Sequence, residues 1–536
     1  MKYFYFLFGL LWLTTTQSSL AQSDFYDVST IQDIRITFAD TNWRYMLDSL
    51  RFNGEELLEG RVSVNGEELK GVGVRYRDGR SFTPGGSRNG LVVRVDAFNE
   101  GQRFHGQQSI DLSSALRDPS MVREVLGYEI ARDYFHAPRA NYARVSINDE
   151  FYGLFVNVEP IEMPFLSRAF GYSEGLLYFA DPEHTSTGSM GCRDNVHGSL
   201  QYEEDKDCLA QYFDQLQGDA FGPLHNLTWV LAEDPSGLAD VIDVDATLWW
   251  MAFNNVMANL NSYAGQYANN YYLYQTEDGL FHPIPAGLNL AFGSYKNTGV
   301  GSDLHTPQML MIDPLLHSDN ESRPLIRLLL SDPTLQKIYL SHYRTLLAEQ
   351  LLSGRLENRA RALQGMIRPI LVDDTNRYYT MEEFDKSLTD VIGERSRIPG
   401  LVDFMTKRGN WLETQPVYTL LPPSITEVAV ERRQRLSSQR LDEFRIHAHV
   451  GDFPKQVYLY YRYAADQPFE TMAMLDDGEH YDGTAGDEVY GVVIKPGPGQ
   501  TAIEYYIMAE NVKTVSYSPS RYTFVRHQTS LTEINR

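Results

Sequence analysis

Across residues 416–423 the pattern of the chain changes, and that break constrains its architecture more than any other feature. Upstream, short β-rich runs alternate with helical stretches. Downstream there are only short alternating strands separated by turns rich in Asp and Gly. Such a switch reads as two separately buried cores. We expect a large α+β domain over residues 25–415 and a small all-β sandwich over 424–527, and 536 residues are ample for both.

In the upstream part, Ile34-Arg35-Ile36-Thr37-Phe38 alternates apolar and polar residues as a half-buried strand does. The spacing predicts a short helix over 43–50 and strands over 60–64, 72–76 and 91–95, with a polar turn at 77–82. A helix is expected over 121–134, with Val122, Val125, Leu126, Ile130 and Ala131 on its apolar face and Arg123, Glu124 and Arg132 off it. Segments 143–147 and 152–158 form a hairpin around Asn148-Asp149-Glu150. An apolar helix over 245–257 can be capped by Asp243 or Asp245. Strands at 271–274 and 281–284 flank Glu277-Asp278-Gly279. Residues 325–371 are mostly helical, with a break at Ser331-Asp332-Pro333. Beyond the break in pattern, strands are expected at 443–450, 457–463, 491–495 and 502–509, an even spacing that fits an immunoglobulin-like or fibronectin-like sandwich.

The first residues point to export. Lys2 precedes an apolar run over 3–13, and Ser19-Leu20-Ala21 supplies small residues for cleavage, so 1–21 reads as a secretory leader cut near Ala21. The run is shorter than the ~20 residues of a membrane span, and no later stretch is long and apolar enough. A secreted, periplasmic or cell-surface product without a membrane span is expected. In that setting Cys192 and Cys208 either form one disulfide or remain two free thiols. The 71 acidic against 47 basic residues, a formal charge of −24, disfavour a phosphate backbone as partner, so no nucleic acid is expected. A small nucleotide pocket can still be locally basic.

Common catalytic signatures are missing. There is no His-Glu-x-x-His, no Gly-x-Ser-x-Gly and no phosphate-binding loop of the Walker type, and Gly71-Val72-Gly73 lacks the further glycine of a dinucleotide site. What the chain offers is an ordered series: Gly73-Val74-Arg75-Tyr76-Arg77, Met121-Val122-Arg123-Glu124, and Val145-Ser146-Ile147-Asn148 with Tyr152-Gly153-Leu154. It continues with Asn259-Leu260-Asn261-Ser262-Tyr263, then Asn270-Tyr271-Tyr272-Leu273-Tyr274. Last comes Pro283-Ile284-Pro285-Ala286-Gly287-Leu288-Asn289-Leu290-Ala291-Phe292-Gly293. The series resembles the spore coat protein H (CotH) kinase family over roughly residues 33–408. The resemblance implies an atypical protein-kinase-like fold, followed here by the sandwich that often accompanies it.

Phosphoryl transfer needs a cation on the phosphates, acidic ligands for a divalent metal, and a carboxylate to accept the proton of the attacking hydroxyl. The resemblance places Arg75 and Arg77 at the nucleotide, Arg77 standing where Lys is usual, and makes Glu124 the partner of that cation. The proton-accepting Asp of the family pattern is here Asn261, while the later Asn survives as Asn270. The metal-binding Asp is replaced by Gly287, with Asn289 following. An amide is neutral and a poor base, and Gly287 has no side chain, so proton acceptor and principal metal ligand are lost together. Asp278 and Asp303 are weak candidates to replace them.

The expected function is therefore that of an exported pseudokinase of this family, binding ATP without turnover or engaging an exported protein. The replaced ligands argue against Mg²⁺ or Mn²⁺. An active secreted Ser/Thr kinase with an unorthodox metal site, and a structural or glycan-binding surface protein, are the alternatives. In the sandwich, Asp476, Asp477, Asp482 and Asp487 have spacing suited to Ca²⁺, but Asp and Gly are also ordinary turn residues, and turns are preferred.

Overall fold

The structure is a computed structural model that describes residues 24–530, apart from 55, 78–81, 182–190, 433–442 and 498. The expected leader and most of the turn at 77–82 lie outside the described residues.

Seven strands close into a barrel: β1 (Ile31–Thr37), β2 (Leu58–Val64), β3 (Glu67–Tyr76), β4 (Leu91–Arg94), β5 (Ser109–Ser113), β6 (Ala140–Ile147) and β7 (Glu150–Val158). The order is β1-β2-β3-β4-β5-β7-β6, antiparallel except for the closing β1–β6 pair, where Ile31 sits opposite Tyr142 and Ile36 opposite Ile147. Alternation sends Ile34, Ile36, Val62, Val64, Val72 and Val74 inward with their counterparts on β4, β5 and β6. Helix α1 (Trp43–Asn53) packs on it through Trp43 and Leu47. The β6–β7 turn sets two consecutive residues in left-handed backbone, Asn148 (φ 48°) and Asp149 (φ 66°), as a tight two-residue hairpin loop requires.

Helix α2 (Arg123–Ala131) joins the barrel to the helical half. It is shorter than the 121–134 expected, and its polar residues are not on a wet face: Arg123 and Glu124 are fully buried. Within the helix only Glu129 keeps some exposure, so the helix has little solvent face to mark. Arg123 Nη1 donates to Asp118 at 2.8 Å and its Nη2 to the Pro399 carbonyl at 2.7 Å.

A second sheet holds β8 (Leu176–Ala180), β9 (Phe213–Gln217), β10 (Tyr271–Gln275) and β11 (Phe281–Pro285) in the antiparallel order β11-β10-β8-β9. Around it lie α3 (Met163–Phe170), α4 (Gly222–Glu233), α5 (Val244–Val256), α6 (Thr306–Leu310), α7 (Pro324–Ser331), α8 (Pro333–Leu346), α9 (Arg355–Asp373), α10 (Met381–Lys386) and α11 (Leu401–Glu413). Asp243 caps α5 by accepting the Ala246 N–H at 3.0 Å, and Asp332 caps α8 through Thr334 and Leu335. Cys192 and Cys208 are joined in a disulfide.

The region of the expected linker contains one helical turn, α12 (Pro416–Thr419), and then a strand that the sequence did not suggest, β12 (Ser424–Arg432). β12 forms a three-stranded sheet with β13 (Phe444–Gly451) and a strand at Val489–Ile494. It faces a sheet built from β14 (Gln456–Arg462), β15 (Glu470–Ala473), β17 (Ala502–Glu510), β18 (Val515–Ser518) and β19 (His527–Ser530), the Val489–Ile494 strand being β16. Phe444, Ile446, Leu459, Val492 and Ile507 fill the space between the sheets. The sandwich docks on α5 and α8. Tyr522 donates its hydroxyl to Asp245, His342 Nε2 lies 2.9 Å from the same carboxylate, and Lys337 pairs with Glu510. Among the described residues no helix is long and apolar enough to cross a membrane.

Candidate functional site

The predicted residues gather where the barrel meets the second sheet, in two groups of opposite character. On the barrel side, the Arg77 N–H continues the pairing of β3 by donating to the Gly90 carbonyl at 2.8 Å. Its Nε lies 2.8 Å from Asp111 Oδ1 on β5, and its Nη1 lies 4.0 Å from Glu124 Oε1 at the start of α2. Glu124 is fully buried, whereas Arg77 and Asp111 keep 25% and 22% of their side-chain surface. Burial alone would depress the Arg77 pKa, but Asp111 and Glu124 outweigh it and hold the pKa above its ordinary value. Burial raises the Glu124 pKa, with Arg77 pulling the other way. Arg75 lies two residues back on β3, paired in register with Val92, and donates to the Tyr76 carbonyl at 3.3 Å.

On the other side, Asn261, Asn270 and Gly287 meet, although they come from the loop after α5, the entry to β10 and the exit of β11. Asn261 Nδ2 donates to the Gly287 carbonyl at 2.9 Å. Its Oδ1 accepts from Asn270 Nδ2 at 2.9 Å, and the same Nδ2 lies 3.0 Å from Asn269 Oδ1. The Asn261 N–H is held by Asn259 Oδ1 at 3.2 Å. Two residues adopt left-handed backbone: Asn270 at φ 58°, tolerable for Asn, and Gly287 at φ 61°. A Cβ on Gly287 would stand 2.9 Å from Asn261 Nδ2 and 3.2 Å from Asn270 Oδ1. The asparagine amide thus occupies room that a side chain at 287 would need.

The two groups are neighbours. Leu288 packs against α2 where Gly127 lacks a side chain, since a Cβ there would come within 3.1 Å of it. Tyr272, two residues past Asn270, has its pKa raised first by burial and then by the field of Asp111, with Arg77 opposing. Asn289 is turned away from the amide group, with its Nδ2 on the Leu116 carbonyl at 3.0 Å.

Neither weak replacement reaches the site. Asp278 lies in the β10–β11 turn, at the far end of the hairpin from Asn270 and Gly287, and accepts from the Leu280 N–H at 3.2 Å. Asp303 accepts from Asn297 Nδ2 at 2.7 Å. Sequence reasoning missed Asp111, Asp181 and Asn269. Asp111 had a signal, an acid set between the buried apolar residues Ile110 and Leu112 of one strand. Asp181 follows β8, whose Ala180 carbonyl receives the Asn270 N–H at 2.9 Å. Only the β8–β10 pairing, which joins distant segments, reveals its place.

Chemically, the amide group can accept and donate hydrogen bonds to a polar ligand, but offers no anionic oxygen and no base. Among the described residues, no three His, Cys, Asp or Glu side chains are grouped to hold a metal ion.

The family profile described as CotH kinase protein matches residues 75–412, from β3 to the last turn of α11. The inner spore coat protein H of Bacillus subtilis (strain 168) is 22% identical over 315 residues, which cover 56% of this chain and 78% of that protein. The two-sheet region beyond residue 424 lies outside the profile match.

Proposed function

The chain belongs to the CotH kinase family, and from that premise we propose that its large domain is an atypical protein-kinase-like fold that has lost phosphotransfer. It acts as a pseudokinase that holds a nucleotide or presents a surface to a protein partner. The observation that carries this reading is the run of amide hydrogen bonds from Asn270 through Asn261 to the Gly287 carbonyl, where the family pattern needs two carboxylates. A base must take the acceptor's proton and a metal must neutralise the phosphates. A neutral amide does neither, and the Gly287 carbonyl is already engaged by Asn261.

Tested against these residues, a divalent cation does not fit. Mg²⁺ prefers anionic oxygen, and the positions present amide groups and a glycine. A nucleotide fits better, because Arg77 stays charged, partly exposed, and fixed by Asp111 and Glu124 for contact with phosphate oxygens. Arg75 and Arg77 would hold the phosphates, Glu124 and Asp111 would position Arg77, and no phosphoryl group would leave.

Export is part of the proposal, on the leader-like residues 1–21. The sandwich, read as an immunoglobulin-like or fibronectin-like module over 424–527, serves as a spacer or adhesion unit. Its acidic loop is turn structure: Asp482 accepts the N–H groups of Gly478 and His480, and Asp476 those of Gly486 and Glu488. Carboxylates spent on backbone amides have less capacity left for calcium. One observation favours a second reading, an active kinase with a rearranged metal site: Asp181 directly follows Ala180, whose carbonyl receives the Asn270 N–H at 2.9 Å.

The discriminating assay is transfer of labelled γ-phosphate from ATP to the protein itself or to a generic acceptor. The pseudokinase reading expects no transfer above background with Mg²⁺ or Mn²⁺. Transfer that survives repeated purification and disappears in Asp181→Asn would replace it with the second reading.

A further inference from the structure

Downstream of the amide group in the chain, the protein builds an open pocket of about 1000 Å³. Residues 295–297 and 303–307, which follow Gly287 in the chain, form it with Arg117 and with Gln266, which follows Asn261. Residues 395–397 close it from the other side. Gln266 is tied to residues 295–297, with its N–H on the Asn297 carbonyl at 3.1 Å and its Oε1 3.3 Å from the Tyr295 hydroxyl.

The pocket is basic in a protein whose net charge is −24. Arg117, Lys296, Arg395 and Arg397 line it, and Asp303 is the one carboxylate that does, already bound by Asn297. Among the described residues none of the four cations forms an ion pair with a carboxylate. Arg117 and Lys296 rest on backbone carbonyls instead, those of Ser294 at 3.4 Å and of Ser396 and Arg397 at 2.9 and 2.8 Å. Arg117 Nε is buried without a hydrogen-bond partner. Burial first, then the like charges of Arg117 and Arg397, depress the Lys296 pKa, with Asp303 opposing. Holding cations together with so little counter-charge costs stability unless an anion arrives.

We infer that this pocket binds oxyanions, carboxylate or phosphate, carried on an extended polypeptide segment. Forked guanidinium groups suit both, and recognition of acidic or phosphorylated motifs by Arg clusters is a recurring mode. An opening of about 1000 Å³ admits a peptide and exceeds what one small anion would fill. The inference deepens the partner half of the pseudokinase reading by naming the partner's chemistry, and it does not depend on nucleotide binding.

Fluorescence anisotropy with the full mature chain tests it, using labelled oligoglutamate, phosphoserine and oligolysine peptides at ~0.15 M salt. Binding of either anionic peptide, at least about tenfold tighter than oligolysine, is expected. Arg395→Glu, a reversal on an exposed side chain that leaves the fold intact, should weaken it by about tenfold or more. Preference between glutamate and phosphoserine identifies the source of the oxyanion, and either supports the inference. It is overturned if neither anionic peptide binds, if Arg395→Glu binds equally well, or if inorganic phosphate displaces the peptides at equal concentration, which would make this a small-anion site. ATP binding without peptide binding would sink this inference and leave the nucleotide reading standing.

Discussion

The two sides of the site have kept different things. On the barrel side, Arg77, Asp111 and Glu124 form a charged group around a guanidinium, with one carboxylate fully buried. Across the junction, Asn261, Asn270 and Gly287 form an uncharged one in which amides bond to each other and to a backbone carbonyl. Burying charge is expensive unless it is paired, so the first arrangement persists only while its members remain together. Neutral amides impose no such demand. A protein that had lost all use for a phosphate site could have replaced the charged group by apolar residues at little cost. The contrast is what the proposed pseudokinase expects, an anionic ligand held on one side and chemistry given up on the other.

The largest effect should come from breaking the charged side. Arg77→Met leaves Glu124 buried and Asp111 without its cation, and should destabilise the large domain by about 3–5 kcal/mol in chemical denaturation. A loss below ~1 kcal/mol would show that the group is not held together by charge. A smaller effect is expected from recharging the neutral side. Asn261→Asp with Gly287→Asp sets two carboxylates side by side, removes the donor to the residue 287 carbonyl, and places a Cβ 2.9 Å from the residue 261 side chain. We expect a loss of about 2 kcal/mol without metal, recovery on adding Mg²⁺, and the appearance of phosphotransfer. A double variant that binds ATP and Mg²⁺ normally yet stays inert would show that these positions do not have the roles given to them.

The smallest effect separates the sides by titration. The folded-state pKa of Glu124 is raised above the ordinary 4.5, by burial first and with Arg77 opposing. Above the folded pKa the carboxylate is charged in both states and its burial costs stability. As pH falls through the folded pKa toward 4.5, the folded protein takes up the proton first and gains stability. Wild type should therefore gain on Glu124→Gln over that window, by at most about 1.4 kcal/mol per pH unit. Asn261→Ala should show no such pH-dependent difference from wild type.

What the sequence revealed depended on how local the signal was. The α5 helix with its Asp243 cap, the β6–β7 and β10–β11 hairpins, and the break at Asp332-Pro333 are written in adjacent residues, and the structure has them. The closure of the barrel is not, because β1 pairs with β6, a strand far along the chain. Helix α2 shows the same limit: its polar Arg123 and Glu124 were placed only off the apolar face, yet both are buried, and beside the nearby Asp118 their partners Pro399 and Arg77 come from distant segments. At the site, Asn261, Asn270 and Gly287 were found through a family pattern. Asp111 carried a local signal, an acid between Ile110 and Leu112, that went unused, whereas the place of Asp181 arises only from the pairing of β8 with β10.

The central claim is that the charged side still binds a nucleotide while the neutral side no longer recruits a metal. Thermal-shift titration of the mature protein with ATP, with and without Mg²⁺ or Mn²⁺, tests it directly. At ~100-fold excess over Kd, a ligand that binds only the folded state adds about 2.7 kcal/mol. The account predicts a rise in Tm that is the same with and without metal and is lost in Arg77→Met. A rise that appears only with Mg²⁺ or Mn²⁺, or none at saturating ATP, would contradict it.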